Sequence, residues 1–330
     1  MKITTYDYID SNRRKTILLV LVFPVSLLLL IFIALFIYSG ISLAITRQLF
    51  NENIIIYVFR TYWYYLVLSI ILSALWALLV FYRGNQIVLN YLNARITEDH
   101  EYRDTKKIIE NISITAGIKA PKLYIMEAEM SLNAFTVGTS INNSCIVLTF
   151  GIIKQLDRTE LEAVIAHEVA HIINRDTILM MAIMLMTGFF TFFGSFLMYG
   201  ISLKRTNKGL QVGKSFGILI LIGSILYIYG NFIAPTIRFA VSRTREFHAD
   251  ANSALLTRNP QGLISALKKI DRHPIIDYFN SNEIMAPLCV VSPLRIPISL
   301  FDSLSNLSRT HPPIQDRIQA LQVMDGQHLN

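Results

Sequence analysis

The chain has 330 residues, of which 53% are apolar and 16% charged, with a formal net charge of +7 and two cysteines. That apolar share exceeds the average of soluble domains, and two cysteines, Cys145 and Cys289, exclude a disulfide framework or a four-thiolate metal site. The positive charge lies partly beside apolar segments, which a basic membrane flank explains more simply than nucleic-acid binding.

From the N-terminus, Arg13, Arg14 and Lys15 precede an uncharged run from Thr16 to Ile45. A bilayer core needs about 20 apolar residues as helix. The run is too long for a signal peptide and no small-residue cleavage site follows it, so it reads as a retained anchor. A second uncharged run, Thr61–Tyr82, opens on Tyr62, Trp63, Tyr64 and Tyr65, an aromatic anchor for the outer interface. The loop between the runs carries Arg47 and Arg60 against Glu52, and Arg83, Arg95, Lys106 and Lys107 follow the second. The positive-inside rule then puts the N-terminus in the cytoplasm and returns the chain there after a short outside loop.

Lys122–Met126, Asn133–Val137 and Cys145–Thr149 are short β-type runs, and "GTSINNS" can close a hairpin between the last two. An edge strand of this kind can hold an extended peptide by backbone hydrogen bonds; a purely structural hairpin is the other reading. Asn133, Ala134 and Phe135 are the candidate substrate-binding residues.

Thr159 followed by Glu162 has the capping-box spacing, and Leu161, Val164, Ile165, Val169 and Ile172 recur at helical intervals. His167 and His171 therefore share one helical face, one turn apart. Two imidazoles so placed can hold one zinc ion, and Glu168 can serve as the base that takes a proton from water. This is the His-Glu-x-x-His arrangement of zinc peptidases.

Thr177–Leu203 and Ser215–Ile237 form a second apolar pair. The loop between them carries Lys204, Arg205, Lys208 and Lys214 and no acid, which runs against the positive-inside rule if the pair crosses fully. Crossing and deep insertion both stand. With Thr177 six residues after His171, the active-site helix is expected to continue toward the membrane, with zinc about 10–15 Å from the interface.

A catalytic zinc needs a third protein ligand. In "SRTREFHAD", Ser242–Asp250, Glu246 and Asp250 lie four apart. Glu246 would bind the metal, and Asp250 would accept a hydrogen bond from the outer nitrogen of a ligand histidine. The bland alternative is a solvated acid pair. His248 faces elsewhere, and His100 sits in a charged run and reads as solvated.

Four patches together, "NAFTVG" at Asn133–Gly138, "HEVAH" at His167–His171, "SRTREFHAD" and "HPPIQDRI" at His311–Ile318, carry a resemblance. The chain resembles the HtpX family of membrane-bound zinc metalloproteases, relatives of the Ste24-type CaaX prenyl endopeptidases. The resemblance implies a mainly α protein with a small β-sheet, in which membrane helices accompany a gluzincin-type domain. It implies one zinc ion held by His167, His171 and Glu246, and it brings His311 and Arg317 to the site to stabilise the oxyanion. Without it, His311 reads as a turn residue and Arg317 as a surface cation. "NAFTVG" departs from the family's commoner Asn-Ala-Phe-Ala-Thr-Gly, but Thr136 and Val137 suit a strand.

The expected organisation is an N-terminal hairpin (1–82), a first part of a cytoplasmic metalloprotease domain (83–176), a second hairpin (177–237) and the remainder of that domain (238–330). The expected activity is cleavage of misfolded or damaged membrane proteins at the cytoplasmic face of a bacterial inner membrane. The partners are protein substrates and the bilayer, not nucleic acid. A specific processing protease for prenylated tails is the rival enzyme reading, and a metal transporter or sensor the rival outside enzymes. The latter predicts ionisable residues inside the spans, and those runs contain none.

Overall fold

The computed structural model describes residues 5–46, 53–97, 100–203, 214–233, 244–272 and 312–326. The chain is mainly helical with one small mixed sheet and divides into two compact units. One comprises residues 17–81 and 185–237; the other 1–16, 82–184 and 238–330.

The first unit takes the parts within residues 17–81 and 185–237 of α1 (Thr5–Thr46), α2 (Ile54–Tyr91) and α6 (Asp176–Leu203), together with α7 (Lys214–Ile228), which runs into a π turn at Tyr229–Ile233; the ends of α1, α2 and α6 outside those ranges belong to the second unit. Among the described residues, three helices are long and apolar enough to cross a membrane, over Asp7–Ala44, Ile54–Tyr91 and Asp176–Tyr199; the apolar helix at Gly217–Asn231 is shorter. Their inner faces share a core of Phe23, Leu27, Leu35, Phe189 and Ile222, while Leu18, Leu21, Val25, Leu68 and Phe81 point outward. An apolar exterior on an apolar interior is what a lipid solvent selects. Trp76 donates from Nε1 to the Leu185 carbonyl at 3.0 Å, so its one polar group is satisfied. Gly194 and Gly230 let α6 and the end of α7 approach backbone to backbone, as small residues do between membrane helices. The aromatic cluster falls where α2 departs from helical geometry, at Tyr62, whose ring packs against Tyr38, Tyr57 and Tyr65.

The second unit carries the sheet. Strands β1 (Arg95–Ile96), β2 (Lys122–Met126), β3 (Ala134–Ser140) and β4 (Asn143–Thr149) stand in the order β1-β2-β4-β3. β2 and β4 are parallel and the other pairs antiparallel, so β3 lies at an edge. The three anticipated strands are present; β3 and β4 extend into "GTSINNS" until two residues turn between them. Two-residue β1 has too few residues to show alternation. The helices are α3 (Arg103–Ala116), α4 (Phe150–Gln155), α5 (Arg158–Ile173), α8 (Thr244–Thr257), α9 (Pro260–Ile270) and α10 (Ile314–Met324). Ile125, Ile146 and Leu148 from the sheet meet Ile109, Val164, Leu267 and Leu321 from these helices in one core.

Two local expectations are corrected. The capping box of α5 is Asp157 with Glu160, not Thr159 with Glu162. Asp157 accepts from the Glu160 amide at 2.9 Å, Glu160 accepts from the Asp157 amide at 2.9 Å, and Thr159 donates to Asp157. Ser265 and Lys269 of α9 then bond the buried Glu160 carboxylate, each at 2.6 Å. The active-site helix also does not continue into the next apolar helix. It ends at Ile173; Arg175 takes a left-handed φ of 60°, and α6 starts afresh at Asp176.

Gly151 opens α4 where a Cβ would run into the Met130 carbonyl, on the segment leading into β3. Gly151→Ala is expected to destabilise the protein by about 1–3 kcal/mol through overpacking, seen as a lower melting temperature in detergent. An unchanged melting temperature would show that this segment yields freely.

Candidate active site

Helix α5 is the centre of the site. His167 is fully buried, Glu168 is 1% exposed, and the side chain of His171 is 12% exposed. The two imidazoles stand edge to face with their Nε2 atoms 3.1 Å apart. α8 packs across α5, fixed in part by Ser253, which donates to the Ala163 carbonyl at 2.7 Å. That crossing brings Glu246 to the pair: Oε2 lies 3.8 Å from His167 Nε2 and Oε1 lies 3.9 Å from His171 Nε2. His167, His171 and Glu246 form a group that could hold a metal ion, with one ligand atom from each mutually within 4.8 Å. Ligands about 2.0–2.1 Å from a tetrahedral zinc are about 3.3 Å apart, so the imidazole pair already has nearly that spacing and a small approach of Glu246 suffices.

Each histidine turns its other nitrogen to an acid. His171 Nδ1 is 2.9 Å from Asp176 Oδ2, and His167 Nδ1 is 2.9 Å from Asp250 Oδ1, close but off the hydrogen-bond axis. A proton held on Nδ1 leaves Nε2 as the lone-pair donor, the form a metal requires. Burial pulls the His167 pKa down more than Asp250 raises it. Burial also acts against protonated His171, but Asp176 and Glu246 prevail and raise its pKa.

Spacing in the sequence points to Asp250 here but not to Asp176. Its one signal is an acid at the head of an apolar run, five residues after His171. In a continuous helix that position would lie about 140° around the axis from His171. The left-handed turn at Arg175 brings it back.

Arg317 of α10 is fully buried rather than a surface cation. It donates from Nε to Asp250 Oδ2 at 2.8 Å and from Nη2 to Oδ1 at 2.7 Å, while Nη1 is 3.7 Å from Glu246 Oε2. All three nitrogens face carboxylates, which orients the acids and does not suit the oxyanion role expected for this residue. Burial raises the Asp250 pKa less than Arg317 lowers it, so this carboxyl is held below the usual range. Arg245, 4% exposed, donates to Glu246 Oε1 at 3.0 Å. His311 lies outside the described residues, as does Cys289. The His248 ring lies tilted against Tyr8 with centroids 4.7 Å apart and is not part of the metal group, and His100 is exposed.

Glu168 carries no hydrogen bond of good geometry on either carboxylate oxygen. Burial first, and Glu246 second, push its pKa up to about 7. Buried acids without donors fit beside a cation and poorly anywhere else. Thr136 of β3 lies near this carboxylate and shares a 2.8 Å hydrogen bond with Thr177. Asn133, Ala134 and Phe135 are all buried, so contact of Ala134 or Phe135 with a peptide would run through the backbone.

Comparison with known proteins adds three findings. Residues 99–325 match the model of Peptidase family M48. A "Protease HtpX homolog" from Dictyoglomus turgidum is 36% identical over 323 residues, covering 97% of this chain and 95% of that one, and one from Streptococcus uberis is 33% identical over 329 residues, covering 97% and 99%. The crystal structure of S. mikatae Ste24p is similar with a TM-score of 0.45 at 22% identity, covering 80% of this chain and 59% of that one.

Proposed function

The chain belongs to Peptidase family M48 and is a metalloprotease with membrane helices, and from that premise we propose that it is a zinc endopeptidase cleaving misfolded or damaged membrane proteins at the cytoplasmic face. One observation carries the metal reading: two imidazole Nε2 atoms 3.1 Å apart, each ring backed by an acid on Nδ1, with a third carboxylate facing both. Two lone pairs at that distance repel unless a cation or a shared proton lies between them.

His167, His171 and Glu246 would hold the ion. Bound zinc supplies a Lewis acid that polarises a peptide carbonyl and acidifies water. Glu168 does the proton work: its carboxylate accepts a proton from the attacking water and returns it to the leaving amine nitrogen. A base poised near neutrality is the efficient one for that exchange, and its pKa of about 7 supports the role. Asp250 and Asp176 hold the ligand rings in register, and Arg317 holds Asp250 and faces Glu246. The oxyanion role anticipated for Arg317 passes to His311 in this proposal. An extended substrate adds beside the edge strand β3 through Asn133, Ala134 and Phe135, with backbone bonds giving affinity and little sequence demand. The cytoplasmic orientation is supported by Arg13, Arg14 and Lys15 before the first span and Arg83, Arg95, Lys106 and Lys107 after the second.

The test is metal removal from the detergent-purified chain. One zinc per chain is expected, with casein cleavage lost on chelation and restored by stoichiometric zinc. Cleavage that survives complete stripping would sink the proposal. In vesicles, a destabilised membrane protein is expected to be cut in its cytoplasmic loops; cuts confined to the opposite face would reverse the assigned orientation.

A further inference from the structure

Two residues in the polar turns of α1 that precede the apolar run are buried: Asn12 is 1% exposed and Tyr8 9%. Resting on the proposed metal ligation by His171, we infer that Tyr8 and Asn12 are positioning residues of the metal centre, acting through Asp176.

The geometry is a relay of three elements. Asp176 Oδ2 faces His171 Nδ1 at 2.9 Å. Its other oxygen, Oδ1, accepts from Asn12 Nδ2 at 2.8 Å and from the Tyr8 hydroxyl at 3.1 Å. Two donors on one oxygen set the rotation of the carboxylate, and that rotation aims the second oxygen at the imidazole. Residues four apart on a helix share a face, so Tyr8 and Asn12 act as one clasp. Asn12 also donates to the Asn174 carbonyl at 2.9 Å, beside the left-handed Arg175 that redirects the chain into Asp176. The Tyr8 ring lies against His248, two residues from Glu246 on α8. The N-terminal turns therefore brace both metal-bearing helices, and Tyr8, Asn12 and Asp176 all belong to one compact unit.

Losing a group that orients a ligand histidine typically weakens metal binding about 10–100-fold. Asp176→Asn sets that scale in the full-length protein. Asn12→Leu, which keeps volume and removes both donated bonds, is expected to weaken zinc affinity about tenfold in competition with a chelator. Tyr8→Phe, which removes one hydroxyl and keeps the ring on His248, is expected to weaken it roughly two- to fivefold. Both should shift the visible absorption of the cobalt(II)-substituted protein, because His171 is re-aimed. Asp10→Asn, an exposed change on the same segment, should alter neither readout. If Asn12→Leu does not fold, Tyr8→Phe decides alone. Parental zinc affinity and cobalt spectrum in the variants, with only the melting temperature lowered, would reduce the segment to packing and overturn the inference. A parent chain that binds neither zinc nor cobalt would instead bring down the metal reading, and this inference with it.

Discussion

Glu168→Gln is expected to retain zinc in full and to lower kcat by roughly 10²–10⁴-fold. Glutamine keeps the shape of glutamate but cannot accept the proton of an attacking water. The metal should stay because Glu168 lies outside the group formed by His167, His171 and Glu246. Its carboxylate has no hydrogen bond of good geometry and is raised by burial to about 7, so ionised Glu168 is costly to keep in the fold. In the zinc-free chain the neutral amide should therefore fold at least as stably as the parent. Metal analysis and peptide turnover on the loaded protein, with a melting curve on the zinc-stripped one, separate these claims. A variant cleaving at parental rates would remove Glu168 as the proton carrier, and a variant without zinc would place it among the ligands.

Much of this site was legible because its chemistry is written in local spacing. His167 and His171 at four apart on a helix, and Glu246 and Asp250 at four apart on another, each place two groups on one face without knowledge of the fold. The three strands were equally local, since short runs rich in β-branched and apolar residues, bounded by turn residues, mark them. What was not legible depends on tertiary placement. Arg317 carries no mark of burial in its own segment; a guanidinium in the core is stable only because α8 brings Asp250 and Glu246 to it. Asp176 depends on a positive φ at Arg175, and no arginine announces a left-handed turn, although Asn174 just before it is a common helix-terminal residue. Tyr8 and Asn12 are more than 160 positions from Asp176, and a single sequence offers nothing to pair them. The shifted capping box is a closer miss: Asp157 and Glu160 have the right spacing, but so do Thr159 and Glu162, and the contacts of Glu160 with Ser265 and Lys269 favour the first pair.

Arg317→Met tests how far the second layer of the site supports both fold and metal. Methionine matches the length of the arginine stem, so packing is largely preserved and the change is mainly one of charge. Removing one partner of a buried ion pair costs about 3–5 kcal/mol, because the other charge remains without compensation. Here the abandoned group is Asp250, whose low pKa depends on Arg317, with Glu246 losing a nearby cation as well. A fall in melting temperature on the order of 10 °C is expected, together with weaker zinc binding, since Asp250 can then take up a proton and no longer accept one from His167. Arg317→Lys should recover only part of the loss: it restores the charge but cannot reproduce the two-pronged contact of Nε and Nη2. Pairing Arg317→Met with Asp250→Leu should restore most of the stability, because the Asp250 charge is gone and Glu246 keeps Arg245, yet zinc affinity should stay low, because nothing then holds His167 Nδ1. Recovery of both properties in the double variant would mean that the Arg317–Asp250 pair serves folding alone and that His167 is oriented by its helix.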